Sequence, residues 1–168
     1  LLDAWGLSRD AKGLETCSRR LVEALGADVA VFKPQSAFFE TYGSAGIAVL
    51  ERVLADIKDA GALSILDIKR GDIGSTMAAY AEAYLAEGAP LAADAVTVSP
   101  YLGFESLMPA FELAVANKRG VYVLARTSNP EGGQVQLAMG PEGTVAQDII
   151  DRATELNSRA RTRAIGLV

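Results

Sequence analysis

The sequence contains no histidine and a single cysteine, Cys17, in 168 residues. Without histidine, Ser-His and Cys-His nucleophilic machinery and any histidine-ligated metal centre are excluded. Chemistry therefore has to run on Asp, Glu, Lys, Arg, Ser, Thr or Tyr. One cysteine cannot close an internal disulfide, and its place in a helical apolar pattern marks it as a packing group. Such cysteine usage fits a reducing, cytoplasmic setting. Basic charge is also short: 16 Lys and Arg stand against 21 Asp and Glu, a net charge of −5. That balance excludes a general nucleic-acid binder, which needs a basic stripe to neutralise phosphates. An anionic small molecule is still accommodated if a few cations converge in one pocket. No run of eighteen apolar residues reads as a membrane span, and no basic segment followed by an apolar core reads as a signal peptide.

What is present is a sequence that is 50% hydrophobic, enough for one domain with a sizeable core. Five short apolar runs are expected to be strands, at 28–33, 63–69, 94–99, 120–125 and 164–168. Each follows an apolar stripe at helical spacing. The stripes are Leu14, Cys17, Leu21, Val22 and Leu25; Val49, Leu50, Val53, Leu54 and Ile57; and Met77, Tyr80, Ala81, Tyr84 and Leu85. Two more are Leu107, Met108, Phe111 and Val115, and Val145, Ile149, Ile150, Ala153 and Leu156. Strict alternation of helix and strand predicts parallel βα units with right-handed crossovers. A doubly wound sheet and a barrel both fit. However, no GxGxxG or GxxxxGK[ST] follows a strand, and polar residues gather at the C-terminal ends of successive strands, where a barrel builds its site. The expected fold is an α/β (β/α)8 TIM barrel, incomplete, with about five parallel strands in a single domain over 1–168. Eight strands are needed for closure, so the sequence reads as an internal fragment whose strands 28–33 and 164–168 would be raw sheet edges.

In the strand at 63–69, alternation puts Ile65, Asp67 and Lys69 on one face and Leu66 and Ile68 on the other. By the same parity Val29, Val31 and Lys33 point together, and Asp72 follows in the turn before a helix starting near Ser75. Lys33, Asp67, Lys69 and Asp72 are thus expected to converge at the barrel mouth as a buried array of alternating charge. Each close opposite pair there is worth about 4 kcal/mol at an effective dielectric near 20. Taken alone, D-x-K-x-x-D fits equally well a salt bridge at a strand end with Asp72 capping the next helix.

The longer string ILDIKRGDIGST resembles the signature of the orotidine 5'-phosphate decarboxylase family, with Asp67, Lys69, Asp72, Ile73 and Thr76 on its motif positions. FKPQSAFFE carries Lys33 at the end of the preceding strand, and ADAVTVSPYLG is similar to the next strand and its turn. LARTSNP places Ser128 where the family uses a serine against the pyrimidine, with Pro130 beside it as a further substrate-binding position. The resemblance runs from about Asp28 to the end and is nearest the bacterial branch with longer chains. It implies decarboxylation of orotidine 5'-phosphate to uridine 5'-phosphate, the last step of de novo pyrimidine synthesis, with no metal or organic cofactor. Lys69 would stabilise the nascent ring carbanion and deliver the proton. Asp67 would sit against the substrate carboxylate, either repelling it or orienting Lys69. Lys33 would pair with the aspartates and the ribose hydroxyls. Asp72 and Thr76 would reach the partner subunit's site, so a homodimer is implied. Measured against the family, the first strand and the last two, with the phosphate-holding glutamine and arginine, fall outside the sequence. The 168 residues by themselves are therefore expected to be inactive or nearly so.

Arg126 is expected to point outward and Arg70 to be solvated. Residues 131–143 read as a loop over the site or a plain connector, and Trp5, Tyr42, Tyr101 and Phe104 as packing groups. Two other readings remain open. One is a magnesium-dependent 3-keto-gulonate-phosphate decarboxylase or hexulose-phosphate synthase, which share D-x-K-x-x-D. The other is a non-catalytic domain that binds a phosphate ligand.

Overall fold

The computed structural model describes residues 1–141 and 143–168. Its elements are α1 (Ala11–Leu25), β1 (Val31–Phe32), α2 (Ser36–Glu40), α3 (Gly43–Asp59), β2 (Leu63–Arg70), α4 (Gly74–Leu85) and β3 (Ala95–Val98). These are followed by α5 (Met108–Ala116), β4 (Gly120–Val123), α6 (Gly133–Gln136), β5 (Met139–Gly140), β6 (Gly143–Thr144), α7 (Val145–Ala160) and β7 (Ile165–Leu167). The two long helices that open on polar caps do so as their sequences require. Asp10 accepts the Gly13 N–H at 2.8 Å ahead of α1, and Thr144 accepts that of Gln147 at 3.1 Å ahead of α7.

The main sheet has the order β1-β2-β3-β4-β7 and every pairing in it is parallel. A doubly wound sheet reverses its order at a switch point. Here each strand is laid beside its predecessor in one direction, the sense in which a barrel is wound. Leu66, Ile68, Val96, Val98, Val121, Val123 and Ile165 face the helices and form a continuous buried core with the expected stripes, above all Val49, Leu50, Val53, Ile57, Met77, Leu85 and Phe111. Ala110 and Ala114, which no stripe includes, are fully buried where α5 closes on the sheet. The alternate residues Ile65, Asp67, Ala95, Thr97 and Tyr122 lie on the opposite face. There the Tyr122 ring covers Gly166, whose Cβ, if present, would lie 2.6 Å from it.

The edge strands are shorter than expected, two and three residues, because each has a ladder partner on one side only. At β1 the ladder also meets Pro34, which has no N–H to donate, and resumes only at a bridge between Gln35 and Asp67. The stretch 131–143 is not a simple loop. It holds the end of a 3-10 turn (Pro130–Gly132), α6 and the β5–β6 hairpin, while its Glu142 lies outside the described residues. Of the aromatics expected to pack, Phe104 does, with its ring centroid 5.1 Å from that of Phe111. Trp5 and Tyr101 are exposed instead, Tyr101 by 78%; both sit in short turns ahead of the helices that carry the core. Among the described residues no helix is long and apolar enough to cross a membrane.

Candidate active site

The polar cluster sits at the C-terminal end of β2, where alternation carries Asp67 to the face away from the helices. Its backbone is fixed first: the Asp67 N–H donates to Pro34 O at 2.9 Å, and Gln35 Nε2 donates to Asp67 O at 3.2 Å. Its carboxylate then takes three donors. Lys69 Nζ reaches Oδ1 at 2.6 Å, Thr97 Oγ1 reaches the same oxygen at 2.7 Å, and Lys33 Nζ reaches Oδ2 at 3.1 Å. Burial is the largest single influence on Asp67 and pushes its pKa up. The hydrogen bonds from Lys69, Thr97 and Lys33 together outweigh it, so the carboxyl titrates below its usual range.

The cluster is less enclosed than the sequence implies. The Asp67 side chain is 6% exposed, but those of Lys33 and Lys69 are 56% and 44% exposed. Solvent thus weakens both ion pairs well below the dielectric-20 figure, and a buried four-charge array is not formed. The missing member is Asp72. Its Oδ1 accepts the N–H of Ile73 at 2.8 Å, and among the described residues it joins no ion pair. Just before it, Gly71 packs on Ser99, past the end of β3, so closely that a Cβ would stand 2.2 Å from Ser99 O. Nor does Asp72 cap α4, whose N-cap position is Ile73 with no side-chain bond.

Lys69 itself has left-handed backbone, with φ of 46°, a conformation that costs a residue with a Cβ about 1–2 kcal/mol. It coincides with a break in register between β2 and β3. Arg70, expected in solvent, pairs with Glu40 at 2.7 Å, and Ser36 Oγ donates to the same Glu40 oxygen at 2.5 Å. Ile73 and Thr76 are exposed around the start of α4, and Ser128 and Pro130 are exposed after β4. Among the described residues none of these four hydrogen-bonds the Lys33–Asp67–Lys69 cluster. The segment after β4 is held by Gln136. Its Oε1 accepts from Thr127 N at 3.0 Å and from Arg126 Nη1 at 3.1 Å, while its Nε2 donates to Thr127 Oγ1 at 2.7 Å. Arg126 is exposed, as expected, but through its bond to Gln136 after the strand has ended, since strict alternation would set it on the Tyr122 face.

Thr97 and Gln35 are absent from the sequence reading. Thr97 could have been found from the pairing of Ile65 with Ala95, which sets Thr97 beside Asp67, but a single strand's pattern does not disclose its neighbour's register. Among the described residues no group of three or more acidic or cysteine side chains could hold a metal ion. Two hollows, of about 770 Å³ between α1 and α3 and about 510 Å³ under the N-terminal ends of β2 and β3, lie away from the cluster. Chemically, the cluster offers a half-exposed cation fixed by one contact, with donor capacity to spare. That equipment suits negative charge appearing on a bound molecule and its subsequent protonation.

The sequence and fold have relatives among known proteins. The chain is 58% identical, over its whole length, to an orotidine 5'-phosphate decarboxylase of Salinispora tropica, of which it covers 61%. A crystal structure from Streptomyces avermitilis, assigned provisionally to the same enzyme, superposes with a TM-score of 0.95 at 57% identity, covering 99% of this chain and 59% of that one. The solved OMP decarboxylase of Leishmania donovani gives 0.80 at 32% identity, covering 95% of this chain and 60% of that one. The chain therefore spans about 61% of the length of its curated relative. Residues 13–168 match one family throughout, and the chain belongs to the orotidine 5'-phosphate decarboxylase / HUMPS family.

Proposed function

We propose that the protein removes carbon dioxide from orotidine 5'-phosphate to give uridine 5'-phosphate, the last step of de novo pyrimidine synthesis. It does so in the cytoplasm, as a homodimer, with no metal or organic cofactor. The observation that carries this reading is the Lys69 ammonium held 2.6 Å from a buried carboxylate at the C-terminal rim of a parallel sheet. In the step itself, the bond from the ring to the carboxylate breaks and its electron pair stays on the ring carbon as carbon dioxide departs. Lys69 then transfers a proton to that carbon and recovers one from water, so one proton is consumed per turnover. Because the negative charge on carbon exists only late in the step, the ammonium favours the transition state over the substrate.

Asp67 works chiefly through Lys69, given their direct contact, and lies beside the substrate carboxylate. Lys33 pairs with Asp67 and with the ribose hydroxyls. Ile73, Ser128 and Pro130 line the substrate. Asp72 and Thr76 serve the partner subunit's site, in keeping with Asp72 lying outside its own chain's cluster. On this reading the chain supplies five strands of an eight-stranded barrel, and the flanking strands hold the phosphate. The 168-residue piece by itself then turns over little substrate.

The test is turnover of orotidine 5'-phosphate by the full-length gene product, with and without chelator. Formation of uridine 5'-phosphate, undiminished by chelator, is the expected result. No turnover, or a metal-dependent reaction on a sugar phosphate instead, would replace this reading with that of the magnesium-dependent relatives.

A further inference from the structure

β2 and β3 are in register at Leu66 and Val96 and come back into register at Arg70 and Val98. Three residues of β2, 67 to 69, therefore stand against one residue of β3, Thr97. A bulge of this kind leaves backbone groups without a ladder partner, and a buried N–H has to find one elsewhere. The Lys69 N–H, swung round by its left-handed backbone, finds the Thr97 hydroxyl at 3.0 Å. That hydroxyl has one proton, and it goes to Asp67 Oδ1 at 2.7 Å. The same Oδ1 receives Lys69 Nζ at 2.6 Å. The circuit closes on itself: both ends of Lys69, its amide and its ammonium, are tied to one two-atom frame made by Thr97 and Asp67. Thr97 is 4% exposed, so water has little access to stand in for its hydroxyl.

We propose that Thr97 is the positioning residue of this site, its hydroxyl setting where the Lys69 ammonium lies relative to Asp67. The inference rests on the decarboxylase reading for what Lys69 does, but the frame itself is independent of any substrate. Valine at 97 keeps the shape and strands the Lys69 N–H. Serine keeps the hydroxyl and loses only a methyl group.

The experiment compares wild-type, Thr97→Val and Thr97→Ser full-length proteins by kcat, KM, thermal unfolding and site-resolved hydrogen exchange of the Lys69 amide. Thr97→Val is expected to lower kcat by about 10- to 100-fold, as a small misplacement of a reacting group does, with KM within about threefold. Thr97→Ser should recover kcat to within about threefold of wild type. The Lys69 amide should exchange at least about tenfold faster in Thr97→Val and stay protected in Thr97→Ser. The proposal is overturned if Thr97→Val keeps both its kcat and its protected Lys69 amide. It is equally overturned if serine and valine lose the same activity alongside the same loss of unfolding temperature, because packing would then be the cause. Should wild type fail to turn over orotidine 5'-phosphate, the decarboxylase reading falls, and the exchange rates alone decide whether Thr97 holds Lys69.

Discussion

Strands β2 and β3 carry polar side chains at both ends, and the two ends treat them differently. At the N-terminal end, Asp94 Oδ2 accepts from Ser64 N at 2.8 Å and from Ser64 Oγ at 2.9 Å, while Asp94 N donates back to Ser64 Oγ at 3.0 Å. Nearby, Asn117 Nδ2 and Arg119 Nη1 are committed to the backbone carbonyls of Leu85 and Ala93. At the C-terminal end, Asp67 is just as fully engaged, but two of its three donors are ammonium groups half in solvent, each with protons to spare. Where polar groups close on the backbone and on one another they staple the sheet. Where they keep donors free toward solvent they can meet a ligand, and on the proposed reading those are the reagents. In parallel barrels the two roles belong to opposite ends of the strands.

That contrast breaks most sharply under substitution of the full-length protein. Lys69→Ala is expected to lower kcat by about 10⁴-fold or more, since electrostatic stabilisation and proton delivery are lost together. Its loss of stability should be modest beside that loss of rate, the lysine being half-exposed and Lys33 and Thr97 still holding the buried Asp67 carboxylate. Ser64→Ala should do the reverse: kcat close to wild type, and about 1–2 kcal/mol less stability in denaturant unfolding from the broken exchange with Asp94. If Ser64→Ala lost activity without losing stability, the division between the two ends would be wrong.

A smaller effect sharpens the same comparison. The folded pKa of Asp67 lies below its unfolded value, about 3.9. Below that value the unfolded chain binds the extra proton, so the stability contributed by ionised Asp67 is complete above about pH 4 and fades as pH falls through the folded pKa. The stability difference between wild type and Asp67→Asn should therefore be constant from pH 7 to about pH 5 and shrink only below about pH 4. A difference already shrinking near pH 6 would mean that burial, and not the three donors, dominates.

Much of this architecture is legible in the sequence, and the reasons for the remainder are specific. Period-two alternation separates Asp67 from Leu66 and Ile68, and period 3.6 identifies the helix faces that cover them. The strand order is not written in any one element; it emerges only when the pairings run in a single direction. Lys69 joins Asp67 as parity predicts, but through a bulge and a left-handed residue that parity does not anticipate. Thr97 is invisible because its partner lies 30 residues away on another strand. Asp72 is misplaced because spacing along the chain does not say where the turn after β2 sends a side chain, which here bonds the adjacent Ile73 N–H. In 131–143 the abundance of glycine hides α6 and the β5–β6 hairpin, whose turns use that freedom, as at Gly143 with its φ of 132°.

The account stands on Asp67 and Lys69 acting as one unit, and a kinetic double-mutant cycle of Asp67→Asn and Lys69→Ala reads that coupling directly. With the ammonium gone, Asp67 keeps only Lys33 and Thr97, and whatever it contributed through Lys69 is already lost, so the double variant should be within about threefold of Lys69→Ala alone. If the two losses multiply instead, the aspartate acts on the substrate independently of the lysine, and the account is contradicted.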